Sequence, residues 1–221
     1  ATIYTFDLTT EQWQTGPAIP GDRNRGSAGA VLYNGKIYLV GGVVGGHGPH
    51  AATVNWFDVF DPVTGVWQVL PPAPHAREHF HAVVAGDKLY ALGGRITGSD
   101  DFANNTVPEV DVYDFASGQW TTLPSPQGDV PTQRAGTAAA LLGDEIILVG
   151  GEGFGQAWGS TEALNDNTQQ WRILTPLLQP RHGTQLAVCN DSVYIAAGSG
   201  AQGGAPELVT QERFYFGDPQ S

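Results

Sequence analysis

Short apolar runs of about five residues, each closed by turn-forming residues, recur along the whole chain. Arg25 to Tyr33 and Lys36 to Val40 are apolar or small runs joined by Asn34-Gly35, a dipeptide that accepts the positive φ angles of a tight hairpin. Gly86-Asp87, Gly143-Asp144 and Asn190-Asp191 hold the same place further on. A third run ends on an aromatic-Asp pair, as in Phe6-Asp7, Phe60-Asp61 and Tyr113-Asp114. Pro62-Val63-Thr64-Gly65 or Ala116-Ser117-Gly118 then turns the chain into a fourth run that carries a tryptophan. No stretch longer than a few residues has a helical period. The pattern predicts antiparallel strands in groups of four.

The groups repeat at a fixed spacing. Trp13, Trp67, Trp120 and Trp171 stand 54, 53 and 51 residues apart. An arginine follows each tryptophan, at Arg25, Arg77, Arg134 and Arg181. Sixteen and seventeen residues beyond each arginine lie Gly41-Gly42, Gly93-Gly94, Gly150-Gly151 and Ala197-Gly198. The fourth repeat departs from the aromatic-Asp rule, with Leu164-Asn165 before Trp171. A period near 50 marks an array of small sheets.

The glycine pair, the Tyr-Asp-like pair and the spaced Trp resemble the Kelch family over essentially the whole chain. The resemblance implies an all-β fold, a Kelch-type β-propeller of four-stranded antiparallel blades around a central channel. About four repeats are present in one domain spanning 1–221, with units near 1–17, 18–70, 71–123, 124–174 and 175–216. Small residues such as Ser27-Ala28-Gly29-Ala30 suit strands packed on both faces, so the tryptophans and glycines are read as structural. The chain opens on third- and fourth-strand segments and ends on another third-strand segment, Glu207 to Phe216. One closing blade cannot use both third strands. The expectation is either part of a larger propeller or four blades with one terminal segment displaced, with association through open edges.

Charge removes some partners. Formal net charge is −12, and Lys36 and Lys88 are the only lysines, so nucleic acid and anionic membranes are poor partners. No run approaches the roughly 18 apolar residues that a membrane helix needs. One cysteine, Cys189, excludes an internal disulfide. An opening at Ala1 in mid-repeat, without methionine, reads as a processed or excised chain, with an extracytoplasmic setting favoured. The glycine-rich stretch from Gly198 to Gly203 lacks the helix that a dinucleotide fingerprint requires, and the acidic stretch at 100–105 lacks calcium-loop spacing. Copper-radical sugar oxidases also use Kelch-type propellers, but Cys189 falls at the hairpin end of its strand, away from the histidines, which disfavours that chemistry.

Strand alternation brings the loop before each first strand and the loop after each second strand to one face. In Kelch relatives this face carries ligand loops, and the resemblance implies that Arg25, Arg77, Arg134 and Arg181 line the pocket there. Their planar, permanent charge suits a carboxylate-bearing ligand. Five of six histidines fall between positions 47 and 81, and His79 and His81 replace the small residues found at equivalent positions. His47, His79 and His81 are the metal candidates, for zinc or copper, although no cofactor is expected. Glu78 and His79 are the candidate acid and base. Trp56 and Trp158, outside the repeat, are candidates for stacking on a sugar or anchoring a partner. The reading is a binding module for a protein or glycan, and the alternative is an enzyme acting on a carbohydrate or small acid.

Overall fold

The computed structural model describes residues 2–46, 48, 50–97 and 105–216. β1 (Thr2–Asp7) and β2 (Gln12–Ala18) form a two-stranded hairpin. The first four-stranded blade is β3 (Gly29–Tyr33), β4 (Lys36–Val40), β7 (Phe57–Asp61) and β8 (Val66–Leu70). Between its second and third strands rises a minihairpin, β5 (Val43–Val44) with β6 (Ala52–Thr53). The second blade is β9 (His81–Ala85), β10 (Lys88–Leu92), β11 (Asp111–Asp114) and β12 (Gln119–Thr122). The third is β13 (Ala138–Leu142), β14 (Glu145–Val149), β17 (Thr161–Asn165) and β18 (Trp171–Ile173), with the minihairpin β15 (Glu152–Gly153) and β16 (Gln156–Ala157). β19 (Leu186–Cys189), β20 (Ser192–Ala196) and β21 (Gln211–Tyr215) make a three-stranded sheet. All pairings are antiparallel, and β1 and β21, the two third-strand segments, stand in separate sheets.

First strands lie side by side: β3 beside β9, β9 beside β13, β13 beside β19. The hydrophobic core therefore sits between blades. Val31, Val40 and Phe57 of the first blade meet Phe80, Leu89 and Tyr113 of the second. Val83, Tyr90 and Val112 meet Ile146, Leu148 and Leu164 across the next seam. Ala138, Ile147 and Ala163 meet Val193 and Ile195 across the third. A strand buried on both faces needs apolar or small residues at every position, which is why these runs do not alternate cleanly.

Two of the repeat tryptophans, Trp120 and Trp171, stitch outer strands backwards. The Trp120 indole packs 5.0 Å from Phe57 and donates to the Pro71 carbonyl just past the preceding outer strand. The Trp171 indole donates likewise to Gly128. Trp13 packs at a tilt against Phe6 within its hairpin and is mostly exposed.

Candidate functional site

The arginines that open each repeat turn into their own blades. Arg134 donates from Nε to the Gly150 carbonyl and from Nη1 to the Thr132 carbonyl, and pairs at 2.8 Å with Glu162 of β17. Arg77 donates to the Gly93 and Glu109 carbonyls and pairs at 3.0 Å with Asp111. Arg181 pairs at 2.9 Å with Glu212, and Arg25 at 2.9 Å with Asp58. Arg77, Arg134 and Arg181 are fully buried. Burial lowers the pKa of Arg77 and Arg134, and the acid beside each opposes that fall. The four forks thus do not meet at one pocket mouth; each ties the start of a first strand to the third strand of the same sheet.

The acids that hold them carry a sequence signal. Asp58, Asp111 and Glu162 each stand nine residues before Trp67, Trp120 and Trp171. A buried guanidinium requires a counter-charge, so a periodic arginine calls for a periodic acid.

Two residues beyond each arginine, the chain takes a left-handed turn at Ser27, His79, Gly136 and Gly183, with φ of 53°, 52°, 63° and 69°. These four residues form a ladder from blade to blade. His79 N–H donates to Ser27 O at 3.1 Å, Gly136 N–H to His79 O at 2.7 Å, and Gly183 N–H to Gly136 O at 3.0 Å. Just inside the ladder lies a cavity of about 220 Å³, walled by Ser27, His79, His81, Thr137, Thr184 and Gln185 among others. It is the channel mouth. His79, Phe80 and His81 all line it, and Phe80 also packs in the core seam between the first two blades. His81 Nδ1 lies 2.5 Å from the Thr137 carbonyl, and burial lowers its pKa.

Beside the mouth, three blades share a buried ionic network. Arg95 bonds Glu78 at 2.9 Å and Glu152 of the next blade at 2.8 Å. Glu152 in turn accepts from Gly203 N–H, and His182 lies 3.5 Å from it. Burial alone would raise Glu78, but bonds from the His79 ring, the Thr97 hydroxyl and Arg95 outweigh it and hold the carboxyl at about 2. A folded-state pKa below the ordinary 4.5 stabilises the fold above that value, and the contribution is lost as pH falls from about 4.5 to about 2. Thermal melts across this window are expected to show a falling midpoint, with a shallower fall in Glu78→Gln. An equal slope in both proteins would refute the assignment.

The remaining candidates are dispersed. Trp56 is half-buried, with the Arg23 guanidinium 4.6 Å from its ring centre. Trp158 is half-buried in the third blade, and its indole nitrogen has no hydrogen-bond partner. His75 bonds Asp111 and so supports the Arg77 pair. Cys189 is an exposed free thiol. His47 and the acidic stretch at 100–104 lie outside the described residues. A groove of about 400 Å³ between the third and last sheets is lined by Leu177, Leu186, Val193, Ile195 and Phe214, and continues the core seam of those residues.

A family profile described as the KLHDC2/KLHL20/DRC7 Kelch-repeats domain matches residues 1–151. The chain belongs to the Kelch-repeat family. Among curated Kelch proteins it is 32% identical over 178 residues to Kelch-like protein terF of Aspergillus terreus, covering 76% of this chain and 38% of that protein. It is 27% identical to Kelch-like protein 25 of Xenopus tropicalis, covering 89% of this chain and 32% of the relative. It is 28% identical to alpha-scruin of Limulus polyphemus, covering 89% and 21%. This Kelch chain therefore spans well under half the length of these relatives. A solved structure titled "Structure of YjhT" superposes with a TM-score of 0.74 at 21% identity, covering 90% of this chain and 66% of the other. That likeness shows the shared fold.

Proposed function

We propose that this Kelch domain binds a protein partner on the face that surrounds the channel mouth. The observation that carries the reading is that neighbouring loops on this face are bonded to one another. Thr97 N–H donates to the Thr53 hydroxyl at 2.7 Å, joining the first minihairpin to the next blade. Gly155 N–H donates to the Gln202 side chain at 2.5 Å, joining the second minihairpin to the last sheet. Loops so tied form one pre-organised surface, which lowers the ordering cost of association. Phe154 at the tip of the β15–β16 hairpin is 54% exposed, and Ile96 is 38% exposed. Large apolar side chains on a rigid rim are the usual anchors of a protein interface.

Two features favour a protein over the glycan and enzyme alternatives. The Trp56 ring already carries a guanidinium, leaving less aromatic face for a sugar. Glu78, ionised down to about 2, holds no proton to deliver near neutral pH. The test is affinity capture followed by titration of the captured partner against Phe154→Asp and Ile96→Asp. Binding is expected to weaken by about tenfold or more in each. Val63→Asp, in the exposed turn on the opposite face, is expected to bind as the parent does. Loss at Val63 alone would move the interface to the other face. Specific glycan-array binding that depends on Trp56 would replace the protein by a sugar.

A further inference from the structure

Fourth strands seat their tryptophans in the seam toward the preceding blade. Trp120, on β12, lies 5.1 Å from Tyr113 of its own sheet and 5.0 Å from Phe57 of the blade before. Trp171, on β18, packs into the next seam. The seam between the third and last sheets offers the same surroundings. Phe214 pairs with Val193 as Tyr113 does with Leu89, so it is the counterpart of Tyr113. Thr161 precedes Glu162 as Phe57 precedes Asp58, so it is the counterpart of Phe57. Among the described residues β21 carries no strand on its outer edge. There the seam opens into the groove of about 400 Å³, with Thr161, Leu177, Val193 and Phe214 in its wall. The Thr161 side chain faces this seam, as Ala163 two residues on does. It is 2% exposed, and its hydroxyl has no hydrogen-bond partner among the described residues. A buried hydroxyl without a partner costs stability, and an indole N–H entering the groove would supply one.

Trp13 is the exception among the repeat tryptophans. It is 69% exposed on β2, whereas Trp67, Trp120 and Trp171 are half-buried. β2 is a fourth-strand segment, and its sheet holds no first or second strand. We propose that the groove receives Trp13 of a second copy of this chain, with β2 of one copy along the open edge of β21 of the other. The indole then packs on Phe214 as Trp120 packs on Tyr113, and the unpaired groups of the β21 edge are covered. The charges agree with this occupant. Residues 1–18 carry Asp7 and Glu11 and neither lysine nor arginine. Arg213, on the groove wall, is exposed and pairs with no carboxylate among the described residues. Every other arginine of the chain has such a pair. Each copy offers one indole and one groove on different sheets, so the contact joins unlike surfaces, head to tail.

Sedimentation velocity of the untagged chain over a concentration series is the test. The weight-average mass is expected to rise above that of the monomer with concentration. Trp13→Ala changes an exposed side chain and is expected to weaken association by about tenfold or more. Leu186→Trp fills the groove from its own wall and should do the same. Arg213→Glu is expected to weaken association by about threefold or more. The decisive measurement is a mixture. Trp13→Ala keeps its groove and Leu186→Trp keeps its exposed indole, so together they should form a one-to-one complex that neither forms alone. If melting shows that Leu186→Trp is unfolded, Arg213→Glu takes its place in the mixture. Phe154→Asp, on the face of the proposed function, should associate as the parent does, which separates the two readings. A chain that stays monomeric, association that survives Trp13→Ala, or a mixture without a complex would overturn the proposal. Binding of N-acetyltryptophanamide by a monomeric chain would give the groove to a tryptophan of another protein and overturn the second copy as its occupant.

Discussion

Arg134→Ala is expected to destabilise the protein by about 3–5 kcal/mol, a large share of the roughly 5–15 kcal/mol available to a domain. The substitution leaves Glu162 buried with its counter-ion gone. It also strands the carbonyls of Gly150, Thr132 and Ser160, each of which accepts from the guanidinium. Lysine keeps the charge but cannot reproduce a fork that serves several acceptors, so Arg134→Lys should recover only part of the loss. Arg172→Ala supplies the contrast. That side chain is half exposed beside Glu145, and an exposed pair contributes about 0–1 kcal/mol. Urea unfolding of the variants decides the matter. Similar losses at Arg134 and Arg172 would show that the buried pairs do not hold the blades. The double change Arg134→Met with Glu162→Gln should cost less than Arg134→Ala, because no charge is then left alone in the interior.

Gly150→Ala is expected to cost about 2–5 kcal/mol, from left-handed strain together with a steric clash. Gly150 has a φ of 62°, and a Cβ there would stand 2.3 Å from the Arg181 carbonyl oxygen. That oxygen is backbone of the following sheet, so relief requires two blades to move apart. Gly143 isolates the strain from the clash. Its φ is 64°, yet a Cβ would meet nothing within 4 Å. Gly143→Ala should therefore cost only about 1–2 kcal/mol. Equal losses in the two variants, measured by the same unfolding experiment, would show that close approach of blades is not what the glycine pair serves.

The strands were legible because their chemistry is local. Asn34-Gly35 and its counterparts mark the hairpins, and the predicted run Lys36 to Val40 is β4 residue for residue. The arginines were legible as a repeated feature but not in their direction. Spacing fixes a place on a strand, whereas the way a long side chain turns depends on which acid lies within reach. Asp58, Asp111 and Glu162 hold a constant distance from the tryptophans, and that periodicity was the available clue. His79 and His81 both line the cavity, yet His79 does so from a left-handed turn ahead of β9, which strand alternation does not encode. The Trp56 surroundings were not legible: Arg23 reaches it from a separate segment, and no local pattern encodes that meeting.

Each arginine that opens a repeat has its acid inside the same sheet, while contact between sheets is made by main-chain N–H and C=O groups, by apolar surface and by the Arg95 network that reaches Glu152. A sheet with such a pair brings the counter-charge for its own buried arginine. Copying it into a longer array adds no uncompensated interior charge, and the donor it brings to the ladder finds the acceptor of whatever copy stands before it. Specific side chains can then drift at one position of one copy, as at His79, while the others continue to hold the shape. Gene duplication could lengthen or shorten such an array one sheet at a time without the interior having to be reinvented.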